Sequence, residues 1–208
     1  DSTEPVMGVI WDGAGYGEDK QVWGGEFFIY NNGIIHRRAH LDYFPQLLGD
    51  KMNREPRLSA LSLLRLHPEK DHPVKKHFSK AEWDYYQKTV QQPPRLLTSS
   101  MGRLLDGIAS ILDVCQHNSY EGEAAMKLEA LARSCQQPVT EAYPLPLQGS
   151  RLMLHELLNA LLADQQKGVP GSRIAQKLFW SLAVAIRQVS EQAGIRKLAF
   201  SGGVFQNA

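Results

Sequence analysis

The sequence predicts a layered α/β fold, and three observations predict it. Residues 6–41 carry short apolar runs broken by Gly and Asp turns, residues 45–193 carry apolar positions at helical spacing, and residues 197–208 return to a strand that enters a glycine turn. A strand meander, a helical body and a closing strand belong to layers of different kinds, which a helix bundle does not contain. At 208 residues the chain is long enough to bury a core of its own.

The elements follow in order. Val6 to Trp11 is a short apolar run ending in Asp12-Gly13, and Val22 to Tyr30 resumes it after a turn rich in Gly and Asp. Asn31-Asn32-Gly33 closes a hairpin onto Ile34 to Leu41, which gives a three-stranded antiparallel meander. From Pro45 the period changes: Leu58, Leu61, Leu64 and Leu66 mark a helix over Arg57 to Leu66, and further helices are expected at Ser79 to Gln91 and Ser99 to Val114, separated by Pro93-Pro94. Glu121 to Cys135 is amphipathic, with Met126, Leu128, Leu131 and Ala132 apolar. Pro138 to Leu147 is a connection or short edge strand. Two long helices, Ser150 to Gln165 and Ser172 to Ala193, flank the Gly168-Val169-Pro170-Gly171 breaker before a buried-looking strand at Lys197 to Phe200.

Charge and composition exclude several functions. The 23 Lys+Arg and 22 Asp+Glu residues nearly cancel and are scattered, so no basic stripe is present to hold a nucleic-acid backbone. No apolar run approaches the roughly 18 residues of a membrane helix, and Asp1-Ser2-Thr3-Glu4-Pro5 is no signal peptide. Cys115 and Cys135 stand apart in helix-like patterns, read as small buried hydrophobes in a protein of the reducing cytoplasm. The absence of an initial Met and the ending in a glycine turn that usually opens a helix read as a piece of a longer polypeptide.

Two glycine turns carry the chemical signal. In Asp12-Gly13-Ala14-Gly15-Tyr16-Gly17, continued by Trp23-Gly24-Gly25-Glu26, alternating glycines let backbone N–H groups cradle an anion beside an acidic residue able to hold a metal, although a plain hairpin turn fits the pattern equally well. In Ser201-Gly202-Gly203-Val204-Phe205-Gln206-Asn207, two glycines after a strand permit close backbone approach and Asn207 offers both a donor and an acceptor. The second turn lacks the lysine of a P-loop and the spacing of a dinucleotide fingerprint. Between them, Thr98-Ser99-Ser100 suits a helix N-cap and Arg103 and Asp106 share one helix face, which on local pattern reads as a cap and a surface ion pair. Tyr120-Glu121-Gly122-Glu123 reads as a helix start. His36 and His40 share a strand face about 13 Å apart, too far for one ion. His67, His72 and His77 lack ligand spacing, and His155 is expected to pack in its helix.

Taken jointly, the two glycine turns, Arg54-Glu55-Pro56, Thr98-Ser99-Ser100-Met101-Gly102-Arg103 and Tyr120-Glu121-Gly122 resemble the C-terminal part of the HypF carbamoyltransferase family of nickel-iron hydrogenase maturation, over nearly the whole chain. The resemblance implies an actin-like ATPase (ASKHA, Kae1-like) α/β fold with RNase-H-like lobes, here incomplete at both ends, residues 1–208 being a partial carbamoyl-transfer domain. It implies acylphosphatase-like, zinc-finger and YrdC-like domains upstream that make carbamoyl-adenylate from carbamoyl phosphate and ATP. The resemblance further implies that this domain then passes the carbamoyl group to the C-terminal cysteine of HypE, with AMP leaving.

Residue by residue, Asp12 matches an aspartate that holds a divalent metal, Fe or Zn, together with a histidine pair. Gly13, Ala14, Gly15 and Tyr16 match the turn facing phosphate or acyl groups. Asp106 and Gly122 match nucleotide contacts, and Gly202, Gly203 and Asn207 match the adenosine-side turn. Arg103, as a catalytic residue, and Glu121 are carried over for their proximity. The histidine pair and a second metal aspartate are outside this sequence, so the chain alone is expected to be inactive. Two other readings stay open: a relative acting on tRNA or a small-molecule hydroxyl, and a nucleotide-binding or docking module without chemistry.

Overall fold

The computed structural model describes residues 4–65 and 73–206, the side chain of Gln206 excepted; His67, His72 and Asn207 lie outside the described residues. A long hairpin forms the centre. Strand β1 (Val6–Tyr16) pairs antiparallel with β2 (Val22–Asn31), which pairs antiparallel with β3 (Ile34–Leu41) through a turn at Asn32 and Gly33 with φ of 49° and 81°. Both central residues take positive φ, as the two-residue hairpin signal requires. The expected meander is present. Its inward residues alternate, with Met7, Val9 and Trp11 on β1, Phe27 and Ile29 on β2, and Ala39 and Leu41 on β3 all buried.

Short strands and helices complete the layers. β4 (Phe44–Pro45) precedes helices α1 (Asp50–Arg54) and α2 (Pro56–Leu64), and a 3-10 turn at Lys75–His77 leads to α3 (Lys80–Gln91). β5 (Leu97–Thr98), α4 (Met101–Ile111) and α5 (Glu123–Arg133) follow; then come a small hairpin of β6 (Leu147–Gln148) and β7 (Arg151–Leu152), α6 (Leu154–Gln166), α7 (Gly171–Ala193) and β8 (Leu198–Ser201). β8 joins β1 in parallel, Met7 opposite Leu198. Helix α4 is buried along its whole length between β1, α2 and α5, which makes it the spine of the core. Ser79 caps α3 by accepting from the Glu82 N–H while the Glu82 carboxylate accepts from the Ser79 N–H. Ser79→Ala is expected to cost about 1 kcal/mol, lowering the unfolding temperature by about 3 °C in a calorimetric scan.

Several expectations require correction. The first glycine turn is placed too early: β1 runs on to Tyr16, with a register break between Trp11 and Gly15, and the chain reverses only where the Gly17 N–H donates to Gln21 O. The ladder resumes because Gly15 and Tyr16 still find Trp23 and Val22 opposite them. Among the described residues β8 pairs with β1 alone and is not buried, with Phe200 52% exposed. The small hairpin at Leu147–Leu152 occupies residues expected to begin α6, because Gly149 (φ 62°) turns the chain there. Cys115 and Cys135 follow the ends of α4 and α5 instead of lying within them, and only Cys115 is buried. Met126 is 45% exposed, and His155 is exposed on α6 beside Asn159 at 2.9 Å. Pairing puts Phe27 opposite Ala39 but Phe28 opposite Arg37, so Arg38 is an extra residue and His36 and His40 fall on opposite faces of β3. Among the described residues no helix is long and apolar enough to cross a membrane.

Candidate functional site

The site begins at the irregularity in β1. Between the pairs Trp11–Gly25 and Gly15–Trp23, residues 12–14 bulge past the single Gly24 and leave the ladder. The freed backbone is held by other groups. Asp12 Oδ1 accepts the Gly13 N–H at 2.7 Å, and the Ser100 hydroxyl, which caps α4 by accepting the Arg103 N–H at 3.1 Å, lies 2.6 Å from Gly13 O and 3.1 Å from Asp12 O. Contact with the bulge is backbone to backbone: a Cβ on Gly24 would stand 2.5 Å from Asp12 O, and one on Gly102 would stand 2.9 Å from Gly13 Cα. The second glycine turn closes on the same place. Gly202 has φ 106° with its Cα against the Trp11 carbonyl, and Gly203 follows so closely that a Cβ there would be 3.3 Å from Asp12 Oδ1.

Two adjoining clefts share this floor. One, of about 520 Å³, is walled by Asp12–Ala14, by Asn53 and Arg54 of α1, and by Asn118–Gly122. The other, of about 530 Å³, is walled by Gly102, Asp106, Gly122, Met126 and Gly203. Arg103 and Glu121 line both, and a Cβ at Gly13 would be 3.7 Å from Arg103 Nη2 and 3.9 Å from Glu121 Oε1. Gly122 bounds both clefts at the N-terminus of α5 with φ 80°. A third cavity, of about 430 Å³ and mainly apolar, lies behind the glycine turn and contains none of the sequence-predicted site residues.

The local reading of Arg103 and Asp106 as a surface pair is overturned. Their side chains are 7% and 1% exposed, with Arg103 Nη2 3.0 Å from Asp106 Oδ2 and Nη1 on Asn53 Oδ1. Burial pushes the Asp106 carboxyl up to about 6 against the opposing pull of Arg103 and Asn118. A carboxyl whose pKa is raised in the fold stabilises most below its unfolded value and loses that contribution as pH rises through the folded value. Relative to Asp106→Asn, the unaltered protein should therefore lose about 3 kcal/mol between about pH 4 and pH 7. Urea unfolding of both proteins across that range reads the difference, and parallel curves would contradict the assignment.

The structure thus brings together Asp12, Gly13, Ala14, Arg103, Asp106, Glu121, Gly122 and Gly203. Gly15 and Tyr16 are back in the ladder and line neither cleft, Tyr16 being 85% exposed, while Gly202 supports the turn from behind. Sequence reasoning missed Asn53 and Asn118, whose Nδ2 donates to the Asn53 carbonyl at 2.9 Å and whose Oδ1 accepts the Ala124 N–H at 3.0 Å. It also missed Glu26, buried behind the bulge, although the Trp-Gly-Gly-Glu run was in view. Burial pushes the Glu26 carboxyl up, and hydrogen bonds from Ser99 and Arg37 pull it back. A metal is poorly served: Asp12 offers one carboxylate with an oxygen already engaged, and among the described residues no three His, Cys, Asp or Glu side chains converge. These residues alone do not make a ligand set.

This geometry has relatives. The model of the second subdomain of the Kae1-like domain of carbamoyltransferases matches residues 8–208. The chain belongs to the HypF carbamoyltransferase family. The HypF of Synechocystis is 34% identical over 98% of this chain, which spans 29% of that protein, and the HypF of Rhodobacter capsulatus is 33% identical over 98% of the chain and 27% of its own length. A crystal structure of full-length HypF in the phosphate- and nucleotide-bound form matches with a TM-score of 0.85 at 28% identity, covering 99% of this chain and 28% of that one. The HypF structure from T. kodakarensis matches with a TM-score of 0.83, also at 28% identity, over 98% of this chain and 29% of that one. The Kae1-like α/β fold expected from the motifs is the fold of the HypF structures.

Proposed function

We propose that residues 1–208 are part of a two-lobed Kae1-like domain that transfers a carbamoyl group from carbamoyl-adenylate to the C-terminal cysteine of HypE, in the cytoplasm, during synthesis of the hydrogenase cyanide ligand. The observation that carries this reading is the convergence of the Asp12–Ala14 bulge, the buried Arg103–Asp106 pair and the Gly203 turn on one floor shared by two clefts. In the balanced step, the cysteine thiolate attacks the carbamoyl carbon, the bond from that carbon to the AMP phosphate oxygen breaks, and AMP leaves with the electron pair. The nucleotide is assigned to the cleft between Asp106, Gly122 and Gly203, and that a full-length HypF is known in a phosphate- and nucleotide-bound form supports a nucleotide as ligand of the family. The acceptor then enters by the neighbouring cleft past Asn53 and Tyr120.

Each residue has an assigned task. Arg103, held by Asn53 and Asp106, offers positive charge where the transferred group and its leaving phosphate bear negative charge. The backbone of Gly13 and Ala14 lines the same point, and Glu121 and Gly122 close the opposite side. Asp12 fixes the bulge through the Gly13 amide, and its proposed role as a ligand to a divalent metal requires further ligands from outside the described residues. Incubating the full-length protein with carbamoyl phosphate, ATP and HypE is expected to add a carbamoyl mass to the terminal cysteine peptide. An unmodified peptide beside a HypF control that modifies it would remove the proposal.

A further inference from the structure

Behind the bulge, outside either cleft, lies a carboxylate that the transfer mechanism does not use. Glu26 is 2% exposed, and donors surround it on every side. Its Oε2 accepts the N–H groups of Gly24 at 2.5 Å and Gly25 at 2.7 Å; its Oε1 accepts the Ser99 hydroxyl at 2.5 Å and Arg37 Nη2 at 2.9 Å. An ionised carboxylate, which accepts and never donates, satisfies all four donors at once. A glutamine there must turn its NH2 group toward one of the two donor pairs. Arg37 supplies the countercharge and is itself held, with its guanidinium 3.9 Å over the Trp23 ring and Nη2 also 3.0 Å from the Tyr43 hydroxyl.

What Glu26 joins gives it a consequence for the site. On one side it fixes Gly24, the residue that faces the bulge and lies against Asp12 O. On the other it fixes Ser99, the neighbour of Ser100, whose hydroxyl reaches the carbonyls of Asp12 and Gly13. Residues 12–14 have no ladder partner, so these two supports set where Asp12 and Gly13 stand. We propose that Glu26 is a positioning residue for the transfer step, its carboxylate locking strand β2 and the start of α4 together so that Asp12 and Gly13 are held at the floor of the clefts. This rests on the proposed carbamoyl transfer. Displacement of about 1 Å at a reacting centre is enough to cost about 100-fold in rate.

The test uses the full-length protein. Glu26→Gln is expected to lower kcat for transfer at least about tenfold with the KM for ATP held within about twofold, and to speed hydrogen exchange in the peptide that contains residues 12–14. Ser99→Ala, a smaller lesion on the same carboxylate, is expected to act in the same direction and to decide the matter if Glu26→Gln does not fold. Glu82→Gln disturbs a remote network, the α3 capping box and Arg57, and is expected to reduce stability while leaving kcat and exchange at residues 12–14 unchanged. Folded Glu26→Gln or Ser99→Ala protein with normal kcat and normal exchange would overturn the positioning role. If the unaltered protein transfers no carbamoyl group, the proposed reaction fails, and faster exchange at residues 12–14 in the variants alone still supports the positioning of the bulge.

Discussion

Gly202→Ala is expected to be among the most damaging single substitutions in the chain. The residue has φ 106°, which L side chains rarely adopt, and a Cβ there would lie 2.0 Å from Trp11 O and 2.6 Å from Trp11 C. Neither obstacle is the mobile end of a side chain, so β1 or the glycine turn must move. Backbone strain of this kind costs about 1–3 kcal/mol, and the collision places the total at about 3 kcal/mol or more, a fall of about 10 °C in unfolding temperature. Gly168→Ala is the control, because φ is 73° there but nothing lies within 4 Å of the added atom. It is expected to cost only about 1 kcal/mol. Equal losses for the two variants, read by calorimetry, would show that contact with Trp11 is unimportant.

Asp12→Ala is expected to have the largest effect on function. The substitution removes the acceptor of the Gly13 N–H and the carboxylate that faces Gly203, leaving residues 12–14 with the Ser100 hydroxyl and the Gly24 contact as supports. Loss of a fixed geometry at the reacting centre predicts a fall in transfer of about 100-fold or more. Adenylate formation, assigned to a separate upstream domain, should continue at its normal rate. Following pyrophosphate release, which reports adenylate formation, against carbamoylated cysteine by mass spectrometry separates the two half-reactions. Transfer at the normal rate would remove Asp12 from the mechanism.

The sequence made the strands legible where periodicity alone decided them. Short apolar runs marked Val6 to Trp11 and Val22 to Tyr30 as strands, Asn31-Asn32-Gly33 set the hairpin, and the helix expected over Ser79 to Gln91 is present as α3. It misled where long-range packing decided. Glycines at 13, 15 and 17 read as a turn, yet Trp23 and Val22 wait opposite Gly15 and Tyr16 and extend the strand. Lys197 to Phe200 looked buried because it is apolar, but the strand lies at the edge of the described sheet, paired only with β1.

The site was legible as a set of motifs and not as a shape. Arg103 and Asp106 carry the spacing of a surface pair, and only the packing of α2, α5 and β1 around α4 turns them into a buried one. Asn53 and Asn118 have no local signature, since each matters through a residue far away in the chain, Arg103 and Asn53 respectively. Glu26 has no role legible in its motif, because only the Gly24 and Gly25 donors are near it in sequence, while Arg37 arrives from β3 and Ser99 from the link between β5 and α4.

A nucleotide and a thiol acceptor are proposed to meet on the floor formed by Asp12, Gly13 and Arg103. A crystal structure of the full-length protein with AMP tests this most directly. AMP is expected in the cleft walled by Asp106, Gly122 and Gly203, with its phosphate within reach of Arg103 and the Gly13–Ala14 backbone. AMP bound only at other sites while this cleft stays empty, at a concentration that supports transfer, would contradict it.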